Sequence, residues 1–205
     1  MLPWLLLGCG VDPVKESPAE PLPIAVAEPC SPLKVALSQA GVVEQGGNNR
    51  GAEVKQYLAS VGITTPEPWC SAFVHWCYRE CGTVIEPKRK FAMALEWHRQ
   101  PQRVWESGTW KPDIGEWKRI SADADHFSLY YANLGRIGHT GLIRGEDEKY
   151  ILTVEGNTGS GGEREGSGVY FRKRLKRTIH CISRWPTPDD NGTAHVHPQR
   201  GLPGL

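Results

Sequence analysis

Pro68-Trp69-Cys70-Ser71-Ala72-Phe73-Val74-His75-Trp76-Cys77-Tyr78 is the stretch that decides the fold. Pro66 and Pro68 disfavour helix in the residues before them, whereas residues 71–80 contain no helix breaker and repeat apolar side chains at helical spacing. The sequence therefore predicts a loop that becomes a helix at Cys70. Unpaired backbone N–H groups and the positive end of the dipole at a helix start favour the thiolate, which is the nucleophilic form of cysteine.

Two predicted strands downstream can supply a base for this cysteine. Residues 138–143 read as a strand with His139 near its start, and residues 150–157 read as the next strand. Gly145-Glu146-Asp147-Glu148 between them is typical of a turn. A cysteine nucleophile needs a base and a further group that orients the base, so we expect both on this hairpin.

The register of the hairpin decides which residue orients His139. Aligning Ile143 with Ile151 pairs apolar side chains and places His139 directly opposite Glu155. Asn157 then falls on the same face of the sheet. Either Glu155 or Asn157 can orient the imidazole, and this register favours Glu155 with Asn157 in support.

Four motifs, taken in their order along the chain, resemble those of the CHAP family of cysteine, histidine-dependent amidohydrolases and peptidases. They are Gly46-Gly47-Asn48-Asn49-Arg50-Gly51, Pro68-Trp69-Cys70-Ser71-Ala72-Phe73-Val74, Gly138-His139-Thr140-Gly141 and Glu155-Gly156-Asn157. The resemblance covers residues 33–186 and implies a papain-like fold and cleavage of peptidoglycan. Many relatives open the strand before the histidine strand with a Gly-Asp pair, whereas this chain has Ala124-Asp125-His126-Phe127.

Matching position by position, the resemblance implies a role for four residues of this chain. Cys70 is the implied nucleophile and His139 the implied general base and acid. Glu155 or Asn157 is the implied residue that orients the imidazole. The implied chemistry needs no cofactor and no metal. The loop at residues 46–51, near which some relatives bind calcium, contains no aspartate, so we interpret it as a structural turn.

The order of the predicted elements indicates an α+β fold. Besides the helix at Cys70, which is expected to end at Gly82, periodic apolar residues predict helices over residues 33–44, 49–61 and 91–99. Strands are predicted over residues 127–132, 137–144, 150–155, 169–174 and 180–184. Helices followed by an antiparallel meander place the helix start bearing the nucleophile against the sheet.

The ends of the chain read differently from residues 33–186. Residues 1–32 are rich in proline and read as an extended tether. Leu6-Leu7-Gly8-Cys9 resembles a bacterial lipobox, which implies membrane anchoring through a lipidated Cys9. The competing interpretation is a chance apolar run, since no basic leader precedes it. Residues 187–205 are polar and rich in proline and glycine, so we expect a disordered tail.

Charge excludes some classes of partner. A formal net charge of +1 over 205 residues supplies no field that would attract nucleic acid. The basic segment at residues 172–177 is favoured as a solvated strand edge, with contact to an anionic wall polymer as the alternative. We expect a monomer whose partner is peptidoglycan, in the bacterial cell envelope as a periplasmic or outer-membrane lipoprotein, or secreted.

Cys9 and Cys70 already have expected roles, and the four other cysteines allow two structural interpretations. In an oxidising envelope we expect one disulfide among them, for example one that ties Cys30 to the domain. A structural zinc ion is the less favoured interpretation. Its ligands would be Cys77, Cys81, His180 and Cys181.

Two function classes remain open at this point. The favoured one is a peptidoglycan hydrolase, either a stem-peptide endopeptidase or an N-acetylmuramoyl-L-alanine amidase. The alternative is a non-catalytic module that binds cell wall or glycan, with Cys70 as core packing and with Trp105, Trp110 and Trp117 beside the basic segment as the binding surface. The glycine-rich loop at residues 156–168 is either a substrate gate or a plain connection.

Overall fold

The computed structural model describes residues 30–99, 102–107, 125–159, 166–186 and 195–196. Three α-helices lie in the first part, namely α1 at Pro32–Ser38, α2 at Ala52–Ser60 and α3 at Cys70–Glu80. The strands are β1 at Val84–Ile85, β2 at Arg103–Glu106, β3 at Asp125–Tyr131, β4 at Arg136–Glu146, β5 at Tyr150–Thr158, β6 at Gly168–Leu175, β7 at Cys181–Arg184 and β8 at His195–Val196.

Six of these strands form one antiparallel sheet. Their order across the sheet is β2-β7-β3-β4-β5-β6, so β4 and β5 lie next to one another inside it. The short strands β1 and β8 pair separately and in parallel. Helices followed by an antiparallel sheet confirm the α+β class expected from the sequence.

Helix α3 packs on the sheet through the large core. Trp69 and Phe73 are fully buried beside Leu142 of β4 and Val154 of β5. Gly156 lets them come close, because a Cβ there would lie 2.7 Å from both Phe73 Cγ and Trp69 Cζ3. The start of α3 is therefore held against β5 by direct packing.

Several predicted element bounds are wrong. The first helix stops at Ser38, and the chain then turns to pair with the sheet, where Val169 donates to the carbonyl of Val42. The second begins at Ala52, after Gly51, rather than at residue 49 as predicted. The helix predicted over residues 91–99 is two short 3₁₀ turns, Lys88–Ala92 and Ala94–His98.

The predicted register of the β4–β5 hairpin is also wrong, by two residues near the site. Leu142 pairs with Val154 rather than with residue 152. The turn is centred later than predicted because the Asp147 carboxylate accepts hydrogen bonds from the backbone N–H groups of Lys149 and Tyr150. A register irregularity between Ile143 and Gly145 then leaves residue 144 as an extra residue in β4.

A disulfide joins Cys30 to Cys81, at the end of α3. This is the tie between Cys30 and the domain that the sequence suggested. The structural zinc interpretation is wrong, because it requires a free thiolate at Cys81.

Parts of several expectations lie outside the described residues. These are Cys9, the proline-rich segment up to residue 29, the tryptophans Trp110 and Trp117, and all but two residues of the tail. Within the described part of the chain, no helix combines the length and the apolar character needed to cross a membrane.

Candidate active site

Cys70 is the first residue of α3 and is nearly buried, with 7% of its surface exposed. Burial alone raises the pKa of its thiol. The charge and hydrogen bonding of His139, together with the backbone N–H groups of Thr140 and Ser71, outweigh that effect and lower the pKa below its ordinary value. The helix start supplies the Ser71 N–H, as expected for a thiolate at this position.

His139 lies on β4 with its imidazole fully buried. Its Nε2 donates to Oε2 of Glu155 over 2.8 Å. Nδ1 is buried without a hydrogen-bond partner among the described residues, and Cys70 is the ionisable group that most raises the pKa of the ring. Hydrogen bonds between a nucleophile and its base are often long or poorly aligned before a substrate binds.

The imidazole is held in its charged form. Burial lowers the pKa of His139, but the Cys70 thiolate and the Glu155 carboxylate raise it to about 9. The lowered pKa of Cys70 and the raised pKa of His139 both favour the form in which the pair is thiolate and imidazolium. A thiolate of this kind attacks carbonyl carbon without needing a proton to be removed first.

Glu155 is a fully buried carboxylate with an unusually complete set of donors. His139 and Arg174 both donate to Oε2, while Arg174 and Thr153 donate to Oε1. Burial raises the pKa of Glu155, and these partners, Arg174 first, lower it to about 2. The carboxylate is therefore ionised throughout the neutral range and cannot rotate freely.

Gly141 provides the space through which Glu155 reaches His139. A Cβ at Gly141 would lie 2.9 Å from Cγ of Glu155 and 3.0 Å from the carbonyl oxygen of Val154. Residues 139 and 141 share a face of β4 because side chains alternate along a strand. A side chain at position 141 would consequently displace the carboxylate from the imidazole.

The structure places Asn157 elsewhere than on the imidazole. Its backbone is left-handed, with φ of 53°. With its amide oriented to satisfy its neighbours, Asn157 accepts from the Trp69 N–H over 3.1 Å and donates to the Gly166 carbonyl over 2.9 Å. Asn157 thus links the residue before Cys70 to the end of the glycine-rich loop, and Glu155 is the residue that contacts His139.

Arg174 and Thr153 are functional candidates that the sequence reasoning missed. Arg174 belongs to the basic segment that was interpreted as a solvated edge, yet only 13% of its side chain is exposed. The alternation of side chains between the two faces of a strand was the feature that could have placed Arg174 on the inner face of β6. Without the pairing of β5 with β6, nothing in the sequence connects Arg174 with Glu155.

The surface proposed for the binding-module alternative is only partly described. Trp105 packs against a second core cluster that contains Phe127 and Ile182, which favours a packing role for it. In the basic segment, the ammonium of Lys176 lies 2.7 Å from Glu146 and that of Lys173 lies 4.0 Å from Asp147. Local acidic partners therefore offset part of the charge that would attract an anionic polymer.

Among the described residues, no group of three or more His, Cys, Asp or Glu side chains is arranged to hold a metal ion. A pocket of about 270 Å³ lies beside α2. It is lined by residues 49–51, 55, 58 and 63–66, which do not include Cys70 or His139.

No family model, curated protein or solved structure matches this chain. Its function is therefore inferred from the chemistry that the Cys70 site can perform.

Proposed function

We propose that this protein is a cysteine amidohydrolase or peptidase, papain-like and of the CHAP type, that cleaves an amide bond of bacterial peptidoglycan. The observation that carries the proposal is the arrangement of three side chains. The charge of an imidazole acts on a thiol at a helix start, and Nε2 of that imidazole is held by a buried carboxylate. Nucleophile, base and orienting group in this order form the arrangement used for acyl transfer.

In the proposed reaction, the Cys70 thiolate attacks the carbonyl carbon of the amide and forms a tetrahedral oxyanion. The imidazolium of His139 gives its proton to the amide nitrogen, the C–N bond breaks, and the amine leaves. Water then attacks the thioester while His139 accepts a proton from it, and the C–S bond breaks to release a carboxylic acid and the thiolate. Glu155 acts as a positioning residue, since His139 is the only one of the reacting groups that it contacts.

The backbone N–H of Cys70 is the first candidate donor for the oxyanion. It belongs to the free N–H groups at the start of α3, which point toward the place where the thiolate reacts. Asn157 supports this arrangement by its contact with the preceding residue, Trp69. Both features fix the start of the helix before a substrate arrives.

The substrate class comes from the resemblance of the four sequence motifs to CHAP enzymes. Both amide linkages in question, between two stem-peptide residues and between stem and sugar, suit the same thiol chemistry. If Cys9 is lipidated, the tether would hold the enzyme at the membrane beside the wall, which fits a peptidoglycan substrate.

Incubation with purified peptidoglycan tests the proposal directly. We expect the unaltered protein to release fragments with new amino termini, and the fragment masses to identify the bond that is cut. Cys70→Ala should abolish the release. Cys77→Ala is the matched control, because Cys77 is a buried thiol of the same helix whose pKa burial raises well above its ordinary value.

An inert protein that sediments with the wall, equally with and without Cys70, would refute the enzyme and favour the binding module. Release of fragments that persists in Cys70→Ala would refute the thiol mechanism.

A further inference from the structure

We propose that Arg174 is a positioning residue of the thiol site, which sets the direction of the carboxylate that holds His139 and balances its charge. This inference rests on the thiol chemistry proposed above. Arg174 touches none of the reacting atoms and would act through Glu155 and then His139.

The contact between Arg174 and Glu155 is a fork. Nε donates to Oε1 over 2.9 Å, and Nη2 donates to Oε2 over 2.6 Å. Two parallel hydrogen bonds fix the plane of a carboxylate as well as its position, which the single ammonium of a lysine cannot do. Oε2 also accepts the hydrogen bond from His139. The two bonds from Arg174 therefore fix the position of the oxygen that orients the imidazole ring.

The fold delivers Arg174 to this position through the pairing of β5 with β6. Arg174 pairs with Ile151, and residues 151, 153 and 155 share a face of β5, so its side chain runs along that face past Thr153 to Glu155. The next residue back, Lys173, points the other way, with 66% of its side chain exposed. Two adjacent cations of one segment thus have separate roles.

Arg174 balances a charge that burial makes costly. A carboxylate that is fully removed from water keeps its charge only when cations and hydrogen bonds compensate it. His139 supplies one positive charge to Glu155, but the same charge also pairs with the Cys70 thiolate. Arg174 adds a second positive charge, so that the four ionised groups of the site are neutral together.

The sign of the electrostatic effect follows from this arrangement. The ionisable groups around His139 are Cys70 from α3, Glu155 from β5 and Arg174 from β6, with Tyr131 of β3 acting on Arg174. Arg174 is a cation near an imidazolium and shares its carboxylate, so it opposes protonation of the ring. When the charge of Arg174 is removed, the hydrogen bonds from His139 and Thr153 should keep Glu155 ionised. The remaining charges around the ring are then negative, so the pKa of His139 should rise above its value of about 9.

The pKa of His139 can be measured without any substrate, by NMR titration of labelled imidazoles with His139→Gln to assign the signal. In Arg174→Met we expect an upward shift of about one unit or more, the range produced by a neighbouring charge. Arg174→Lys keeps the charge, so its titration should stay near that of the unaltered protein. Lys173→Met is the matched control, because it removes an adjacent, exposed charge.

An unchanged or lowered pKa of His139 in a folded Arg174→Met variant, or an equal shift in Lys173→Met, overturns the inference. Should Arg174→Met fail to fold, Arg174→Gln makes the same charge change, keeps one donor for Glu155 and carries the same expected shift. The result is separable from the proposed function. A shift in a protein that is inert on peptidoglycan would refute the substrate alone, whereas an active protein without the shift would refute the role of Arg174 alone.

Discussion

Acidification should unfold this protein at a mild pH because three histidines are buried in their neutral form. Burial lowers the pKa of His75 to about 4 and that of His126 to about 3, and it holds the pKa of His98 well below the ordinary value. None of the three is more than 4% exposed. Each would bind a proton near pH 6.5 in the unfolded chain but not in the fold.

The hydrogen bonds of His98 show why the fold prefers the neutral ring. Thr140 Oγ1 donates to the carbonyl of Phe127, so it accepts from Nε2 of His98. Nδ1 is then free to accept from the hydroxyl of Ser183 over 2.9 Å. A proton on Nδ1 would remove that acceptor and add an uncompensated charge in the core.

The size of the effect follows from proton linkage. A folded-state pKa below the unfolded one means that stability is lost as pH falls through the unfolded value of about 6.5. Three such groups lower the free energy of unfolding by about 4 kcal/mol at pH 5.5 and by about 6 kcal/mol at pH 5, relative to neutral pH. Domains of this size are stable by roughly 5–15 kcal/mol, so the loss is a large fraction of the total.

Other groups of the site do not disturb this window. His139 has a raised pKa and is protonated in both states below pH 6, and Glu155, with a pKa of about 2, loses stability only as pH falls below its unfolded value of about 4.5. The slope between pH 6 and pH 5 therefore reports mainly the three neutral histidines, with a smaller contribution of the same sign from half-buried His180, whose pKa burial also lowers.

Urea unfolding followed by tryptophan fluorescence at several pH values between 7 and 5 measures this slope. The His126→Gln variant is the control, because its amide can still bond the Tyr78 hydroxyl that His126 contacts over 3.0 Å. We expect its slope to correspond to two protons instead of three, whatever its absolute stability. A free energy of unfolding that is the same at pH 5 and pH 7 would refute the reasoning.

Three further predictions concern the site and its support. Iodoacetamide at pH 7 should modify Cys70 before the two other free cysteines of the described chain, because burial raises the pKa values of those two. Peptide masses would identify the cysteine that is modified first, and equal labelling of all three would count against a thiolate at Cys70. Loss of the Cys30–Cys81 disulfide, which closes a loop of 51 residues, should lower the free energy of unfolding by about 4 kcal/mol in urea titrations of the double alanine variant. A decrease of less than about 1 kcal/mol would contradict this. Gly141→Ala should slow alkylation of Cys70 at least about tenfold by displacing Glu155, since thiolate reactivity depends on its surroundings; an unchanged rate would show that the carboxylate is not needed.

The sequence was sufficient for features that depend on local structure. Prolines before residue 69 and an unbroken apolar repeat after it predict a helix that starts at Cys70, and α3 starts there. The α+β class follows from the order of the elements. Both are set by backbone conformations that neighbouring residues favour, so they need no knowledge of the tertiary packing.

The pairing of His139 with Glu155 was anticipated from a register that is itself incorrect. The true register differs by two residues near the site, and an even shift keeps both side chains on the same face. Nearer the turn, Gly145 pairs with Leu152, so the register there differs from the predicted one by an odd number of residues. An odd difference by itself would place His139 and Glu155 on opposite faces of the sheet. The extra residue in β4 restores the shared face, and apolar pairing alone does not predict such an irregularity.

The sequence by itself thus determined the helix that begins at Cys70, the class of fold and the candidate partners of Cys70. Only the tertiary structure decided that Glu155 rather than Asn157 contacts the imidazole, and that Arg174 is inside the site rather than at its edge. The physical reason is that these contacts depend on strand pairing between distant segments. A buried carboxylate must find its compensating charges in three dimensions, and local sequence preferences do not encode where those charges lie.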